Sequence, residues 1–372
     1  MDCSKAGKHG DGDMAATATG TPRGTGRIGW VDYAKGICIV LVVLLNASYG
    51  VEHATGETSI FSAFNAWAQP FRMPDFFLIS GLFLARRIDR PWRSYLDTKV
   101  AHFAYFYVLW MTVWYVVRIP QYVEKYGTLG AALLYPFSFI QPLGSLWFIY
   151  MLAVFFVAAK LLNRFPHWAV WLGAAVLHSL QIHTGWRIID EFASRFVFFW
   201  SGYILAPYVF AIAEWLKKRP VPVLLGGLLV WGLVHTWFMT TGLGNLPVVN
   251  LILGYAGIAA IVTFGLLLEK TPLGAPMRYL GAHTLPVFLS YFIFAVATRI
   301  ILMKSGLVTD INVIIVLATL AGVTGPLILE RLVRGTPLSF LYERPAMFRI
   351  PPADGVAGGG MRPQAEGGGA GR

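Results

Sequence analysis

The amino-acid sequence predicts an all-α protein, a polytopic bundle of about ten transmembrane helices. Of its 372 residues, 56% are hydrophobic and 13% are charged, and its mean hydropathy is +0.60. This balance lies far from that of a soluble domain. Apolar segments of nearly bilayer-spanning length follow one another through the chain, separated by short polar stretches. The composition therefore indicates a multi-pass membrane protein.

Each predicted helix is an apolar segment long enough, or nearly so, to cross a hydrocarbon core that needs roughly 20 helical residues. The fifth is the weakest because it is short and contains His178. The ten predicted spans are 33–51, 68–86, 101–119, 145–162, 167–182, 193–214, 221–240, 247–268, 284–303 and 311–333.

The two ends of the chain differ in composition from the middle. Residues 1–28 lack an apolar core of signal-peptide length, and residues 351–372 are mostly Gly, Pro and Ala. We therefore expect a disordered tail at 1–28, a membrane domain at 29–334 and a largely disordered C-terminal tail at 335–372.

Lysine and arginine are distributed unevenly between the connections, which predicts the orientation. The even-numbered connections carry twelve cations, whereas the odd-numbered ones carry fewer, including Arg118 and Lys125. Cytoplasmic loops are enriched in cations. We therefore expect the protein to lie in the inner membrane, with the even connections and both termini in the cytoplasm. The same distribution explains much of the net charge of +11, so no nucleic-acid partner is expected.

The first helix carries two polar side chains on one face. Lys35 lies near its start, and Asn46 follows eleven residues later, which is about 16 Å along the axis at roughly 1.5 Å per residue. This layout suits a long ligand with an anionic head and a buried reactive end. The alternative is that Lys35 extends to the headgroups while Asn46 bonds to a neighbouring helix.

Several motifs in order resemble the acyltransferase-3 family of membrane O-acyltransferases. In the family, the first helix carries a basic residue, ten other residues and then a histidine, and the second helix carries the pattern P-x-F-F-F-x-S-G. Here the first helix reads VDYAKGICIVLVVLLN and the second reads FRMPDFFLISGLFLAR. SLWFIYMLAVFF, FVFFWSGYILAP and YLGAHTLPVFLSYF resemble later family blocks. The resemblance covers about residues 29–334. At the position of the family's histidine, this chain has Asn46.

The resemblance implies transfer of an acyl group, commonly acetyl, from acyl-CoA on the cytoplasmic side to a hydroxyl of a surface carbohydrate. Lys35 would meet the CoA phosphates. The expected partners are thus the lipid bilayer, acyl-CoA as co-substrate and a carbohydrate acceptor. The resemblance implies that family members use this histidine as the general base, and an amide at Asn46 cannot exchange a proton in this way.

Three explanations of Asn46 stay open. The chain remains an acyltransferase in which Asn46 positions the acceptor and another group is the base, or it is a catalytically impaired member that binds acyl-CoA or glycan. The third explanation, the glycosylation sequon NAS, conflicts with a position at membrane depth. A solute transporter is a further alternative, although the two matching halves typical of many transporters are not found.

Two residues are candidates for a substitute base. His53 lies seven residues after Asn46 on the same stripe, and Asp75 lies near one end of the second helix. The alternative for His53 is a solvated loop residue. The alternative for Asp75 is an ion pair with Arg72, three residues before it, which would make its carboxylate a poor base.

Three further residues are candidates for substrate binding. Arg72 would bind the acceptor or polarise the acyl carbonyl, or else extend to the membrane interface. Trp147 would stack on a sugar or simply pack. Arg195 would line the acceptor site or belong to a local salt-bridge network with Asp190 and Glu191. No metal is expected, because no histidine has a metal-binding spacing, and no nucleotide or serine-hydrolase motif is found.

A cysteine introduced between residues 52 and 67 should react with a membrane-impermeant thiol reagent in intact cells, because this connection is predicted to face away from the cytoplasm. A cysteine introduced at 88–92 should not react. Labelling is read as a mass shift on a gel, with the unmodified chain as control. The reverse pattern would show that the orientation is inverted.

Overall fold

The computed structural model describes residues 29–85, 87–272 and 274–350. Helices make up nearly all of these ranges, which contain no strand, and the tails predicted at 1–28 and 351–372 lie outside them. The α-helices are α1 Gly29–Thr55, α2 Ile60–Trp67, α3 Gln69–Leu82, α4 Trp92–Leu96, α5 His102–Phe137, α6 Trp147–Leu162, α7 His167–Ser179, α8 Arg187–Ile204, α9 Ala206–Lys217, α10 Val221–Thr240, α11 Pro247–Leu268, α12 Gly274–Ala282, α13 Thr284–Ser305 and α14 Ile311–Val333.

The all-helical membrane fold is confirmed, with fewer full-length spans than the ten predicted segments. Within the described residues, seven helical stretches are long and apolar enough to cross a membrane. The pair α8 and α9, bent by 75°, brings the number to eight. The predicted segments 68–86 and 167–182 instead form α3 and α7, which have 14 and 13 residues and are short for a full crossing.

Helix α1 lies at the centre of the bundle, in contact with α3, α11, α12, α13 and α14. Small residues allow these close approaches: Gly36 abuts Met277 on α12, and Ala34 and Cys38 are fully buried. Because lipid is as apolar as leucine, this kind of backbone approach and van der Waals packing holds transmembrane helices together. In this position the side chains of Lys35 and Asn46 are half-buried.

Helix α5 is longer than predicted and folds back on itself. Gly127 has φ 72°, a conformation that glycine adopts without steric cost, and the helix reverses there. The Tyr115 hydroxyl then donates to the Ala131 carbonyl oxygen at 2.7 Å across the two arms. The placement of Arg118 in a connection was wrong, because the helix continues through it and its guanidinium stacks on Phe292, 3.9 Å from the ring centroid.

Helices α3 and α8 pack closely through a reciprocal pair of glycines. A Cβ on Gly81 would collide with the carbonyl oxygen of Phe199, and one on Gly202 would collide with that of Leu78. Both obstacles are backbone atoms, which cannot rotate away. This contact sets the distance between the helix that carries Arg72 and Asp75 and the helix that carries Arg195.

Gly81→Ala and Gly202→Ala should each destabilise the protein by about 1–3 kcal/mol, because the added methyl group overpacks a backbone contact. Thermal unfolding in detergent measures the effect. Gly226→Ala on α10 is the matched control, since no heavy atom outside the helix lies within 4 Å of the added Cβ. Melting temperatures as high as that of the control would mean that α3 and α8 separate without cost.

Candidate functional site

Lys35 lies at one end of the bundle, beside the turn that follows α3. Its side chain is half-buried, and its ammonium lies 5.6 Å from the centroid of the Phe83 ring. Phe83 also lines a cavity of about 970 Å³ at this end of the protein. Lys35 and Arg87 are both near enough to Lys99 for their charges to act on it. The sequence-predicted lysine therefore lies close to a cavity rich in cations.

The cavity is lined from three parts of the chain: the turn after α3, the start of α5 and the C-terminal segment. Four cations and two carboxylates line it, and aromatic rings complete the wall. The lining residues are Phe83, Arg87, Asp97, Thr98, Lys99, His102, Phe103, Tyr342, Glu343, Arg344 and Arg349. Such a mixture suits a ligand with several phosphates and a flat ring.

The C-terminal segment 336–350 folds back over this end and supplies part of the cavity wall. The Nη2 of Arg344 donates to both carboxylate oxygens of Asp97, at 2.8 and 2.9 Å, and the backbone amide of Ile350 donates to the same carboxylate at 2.8 Å. Tyr342 bonds to Ser290 on α13 at 2.8 Å, and burial raises the pKa of its hydroxyl to about 12. The predicted C-terminal tail thus begins with a packed segment.

Sequence reasoning missed Arg344 and Arg349 as site residues. They follow the last apolar segment, and their neighbours in sequence do not indicate that the chain returns to the bundle. The aromatic residues Phe340, Tyr342 and Phe348 were the available signal, since a short run of large rings is costly to leave in water.

Asn46 lies in the middle of α1, and its amide is turned toward its own helix. The Asn46 Nδ2 donates to the Val42 carbonyl oxygen at 2.8 Å, and the side chain is half-buried. This bond satisfies a polar group at membrane depth within the helix itself. His53 lies two turns further on and is exposed, about 10 Å along the axis from Asn46. The structure therefore separates this candidate base from the middle of the bundle.

Asp75 on α3 is fully buried, and its side chain faces Cys38 on α1. Its Oδ2 accepts a hydrogen bond from the Cys38 thiol at 2.7 Å, and its Oδ1 has no partner in the described part of the chain. The alternative in which Asp75 pairs with Arg72 is not observed among the described residues, because Arg72 donates to the Asn65 carbonyl oxygen at 3.2 Å instead. Sequence reasoning missed the role of Cys38 as partner of this carboxylate.

Arg72, Trp147 and Arg195 come together from α3, α6 and α8. The Arg195 guanidinium lies 5.4 Å from the Trp147 ring centroid and near enough to Arg72 for the two charges to act on each other. The Nε of Arg195 pairs with Glu191 at 2.5 Å, so the predicted local ion pair is present. Asp190 accepts from Thr184 and therefore lies outside that pair.

A second cavity, of about 490 Å³, opens beside this group, between α3, α7, α8 and the start of α11. Amide, imidazole, carboxylate and guanidinium side chains line it, among them Gln69, His178, Asp190, Glu191, Arg195 and Asn250. Within the described ranges, no cluster of three side chains could hold a metal ion. The arrangement offers hydrogen bonds and charges without a metal site.

Fold and site together define a class of protein: a multi-helix membrane protein with a cationic cavity at one end of a central helix and a polar group of side chains further along it. The sequence profile described as an acyltransferase domain matches residues 28–331. The chain belongs to this acyltransferase-3 family, and it lies in the inner membrane.

One curated relative is the inner membrane protein YcfT of Escherichia coli strain K12, which is 26% identical over 165 residues. The alignment covers 36% of this chain and 44% of that relative. No solved structure matches the chain.

Proposed function

We propose that the protein transfers an acetyl or other short acyl group from acyl-CoA to a hydroxyl of a cell-surface carbohydrate. The observation that carries the proposal is the cationic cavity close to Lys35, on the helix that carries Asn46 eleven residues further along. An acyl donor with a phosphorylated head and a long arm needs both features. The family membership supports the reaction class.

The donor would lie with its phosphates in the cationic cavity close to Lys35, called the Lys35 cavity below. The volume of about 970 Å³ is at the upper end of the range for ligand sites, roughly 300–1,000 Å³. Arg87, Lys99 and Arg349 would make charge-assisted hydrogen bonds to phosphate oxygens, and Lys35 would contact the phosphates from α1. Phe103 offers a flat surface for the adenine ring. The pantetheine arm would then extend along α1 toward Asn46.

The acceptor would enter from the other end, where Arg72, Trp147 and Arg195 meet. In the reaction the acceptor oxygen attacks the thioester carbonyl, a C–O bond forms, the C–S bond breaks and CoA leaves as the thiol. A base must take the hydroxyl proton. Asp75 is the interior candidate because one of its oxygens lacks a partner, and His53 is the candidate at the exposed end. Asn46 would orient the hydroxyl or the acyl carbonyl oxygen by hydrogen bonding.

One observation favours a second candidate function, that of a binding protein without catalysis. The Asn46 amide donates to Val42 in its own helix, as a structural side chain would. In that case the Lys35 cavity would still bind acyl-CoA, and no turnover would follow. The two functions differ in the presence of a working base, which the following substitutions test.

Lys35→Ala should weaken CoA binding by about 1.5–3 kcal/mol, since it removes a hydrogen bond between charged groups. Lys35→Arg should keep much of the affinity because the positive charge remains. Affinities are measured by titration calorimetry of the purified protein in detergent. The matched control is Lys218→Ala, which removes a lysine at the end of α9 outside the cavity. Equal CoA affinity in all four proteins would exclude Lys35 as a phosphate ligand.

Asn46→His should raise the rate of acyl transfer by about 10²- to 10⁴-fold if a missing base limits turnover. The rate should then rise with pH through the range in which an imidazole loses its proton. The measurement uses labelled acetyl-CoA and extracted cell glycans, with Asn46→Gln as the control that adds length but no base.

The same assay separates the other candidates for the base. If His53 already acts as base, His53→Ala should abolish transfer and Asn46→His should change it little. If Asp75 is the base, Asp75→Asn should abolish transfer while CoA binding persists. Absence of turnover in every variant that still binds CoA would favour the binding protein.

A further inference from the structure

We propose that the half of the bundle around Asn46 binds an oxyanion group, a carboxylate or a phosphate, carried by the acceptor. This inference rests on the proposed function, because that function identifies the ligand as the acceptor. The observation behind it is a surplus of arginines in this half of the bundle, on α3, α5, α8 and α13. These arginines are Arg72 on α3, Arg118 on α5, Arg187 and Arg195 on α8 and Arg299 on α13.

Arg195 alone among these five makes an ion pair within the described part of the chain, with Glu191. Three others donate to backbone carbonyl oxygens: Arg72 to Asn65, Arg187 to Gly144 and Arg299 to Gly50. A carbonyl oxygen accepts a hydrogen bond but does not neutralise a charge. The guanidinium charges in this half are therefore largely uncompensated by the described acids.

The nearby carboxylates are engaged elsewhere. Asp75 accepts from Cys38. Glu52 accepts from the hydroxyls of Ser59 and Ser62, and Asp190 accepts from Thr184. None of these contacts involves an arginine. Apart from Glu191, these acids therefore bond to thiol, hydroxyl and backbone groups and form no ion pair with the arginines of this half.

Arg72 is the clearest case. Its side chain is 7% exposed, and its Nε lies buried without a hydrogen-bond partner in the described part of the chain. The like charge of Arg195 acts on it, and Tyr49 on the outer part of α1 lies near it. A buried charge without an ionic partner is costly, so the position of Arg72 inside a membrane domain favours an anionic ligand as its counter-ion. Pro70 and Pro74, on either side of Arg72 in the sequence, line the cavity of about 490 Å³ together with Arg195.

Arg118 on α5 and Arg299 on α13 show the same pattern. The charge of Arg118 acts on Arg299, and the Nε of Arg118 is also buried without a partner in the described part of the chain. Arg299 reaches the Gly50 carbonyl oxygen, one turn beyond Asn46. Uncompensated guanidinium groups therefore face the same two turns of α1 from α3 and from α13.

The chemistry of the ligand follows from these donors. A guanidinium presents parallel N–H groups that match the two oxygens of a carboxylate or phosphate. A neutral sugar would leave the arginine charges unbalanced in a low-dielectric interior, whereas an acidic sugar or a sugar phosphate would balance part of them. We therefore expect a charged acceptor to bind more tightly than its neutral counterpart.

The test compares three sugars of similar size on the full chain purified in detergent: glucose, glucuronate and glucose 6-phosphate. Binding is measured at constant ionic strength with CoA present, so that the cavity beside Lys35 is occupied. Glucuronate or glucose 6-phosphate should bind at least about 10-fold more tightly than glucose. Inorganic phosphate, used as a fourth probe, distinguishes recognition of the free anion from recognition of the sugar that carries it.

Arg72→Gln should weaken binding of the charged sugar by about 10- to 100-fold, as expected for loss of a charged hydrogen bond, and Arg72→Lys should weaken it less. The matched control is Arg164→Gln, which removes an exposed arginine from the connection between α6 and α7. If Arg72→Gln does not fold, Arg118→Gln takes its place. Equal affinity for glucose and its charged forms, or charged-sugar binding that both arginine variants retain, would overturn the proposal.

Titration with CoA in the same samples keeps the two proposals apart. Arg72→Gln should leave CoA affinity unchanged, because its site lies at the other end of α1. If CoA does not bind but charged sugars bind in a way that depends on Arg72, the donor proposal is wrong and the anion site is supported. If CoA binds normally but charged and neutral sugars bind equally, the donor proposal is supported and the anion site is wrong.

Discussion

The structure depends on one constraint: inside a bilayer there is no water to satisfy a polar group, so each one must find a partner within the protein. The backbone meets this demand by being helical throughout the described membrane segments. Most polar side chains meet it by bonding to their own helix, as Asn46 does with Val42 and Thr319 with Ile315. Against that background, the groups left unsatisfied are informative. Arg72 and Asp75 each keep a buried polar atom without a partner in the described chain, and both lie on α3 beside the central helix.

The central position of α1 connects the two ends of the proposed reaction. Its neighbours approach closely because small residues lie along it, and this packing leaves little freedom for the helix to shift. Lys35 and Asn46 are thereby held about 16 Å apart along one rigid element, at roughly 1.5 Å per residue. A ligand that spans this distance would meet charge at one end and hydrogen-bonding groups at the other. The geometry suits a donor and an acceptor that enter from opposite sides of the membrane.

The C-terminal segment shows how a distant part of the chain completes a site. Arg344 crosses to Asp97 at the start of the α4–α5 region, 247 positions earlier in the chain, and both side chains are largely shielded from solvent. The pair neutralises the carboxylate of Asp97 that would otherwise repel phosphate from the cavity. Arg349 adds a further cation to the wall. Part of the cavity wall and two of its four cations therefore come from the same chain reversal.

The sequence by itself determined the class of fold, the approximate helix positions and the polar stripe on α1, because each depends on hydropathy and periodicity over one helix. It also determined the family, since the motif blocks around Lys35 and Asp75 lie in continuous stretches. Tertiary structure alone decided the hydrogen bond from Cys38 to Asp75, the approach of Arg195 to Arg72, the return of α5 at Gly127 and the wall supplied by Arg344. Each of these joins residues far apart in sequence, or depends on which rotamer and which neighbour a buried polar group finds. Local patterns carry no information about such pairings, because only the packed bundle fixes the distances on which hydrogen bonds and charge interactions depend.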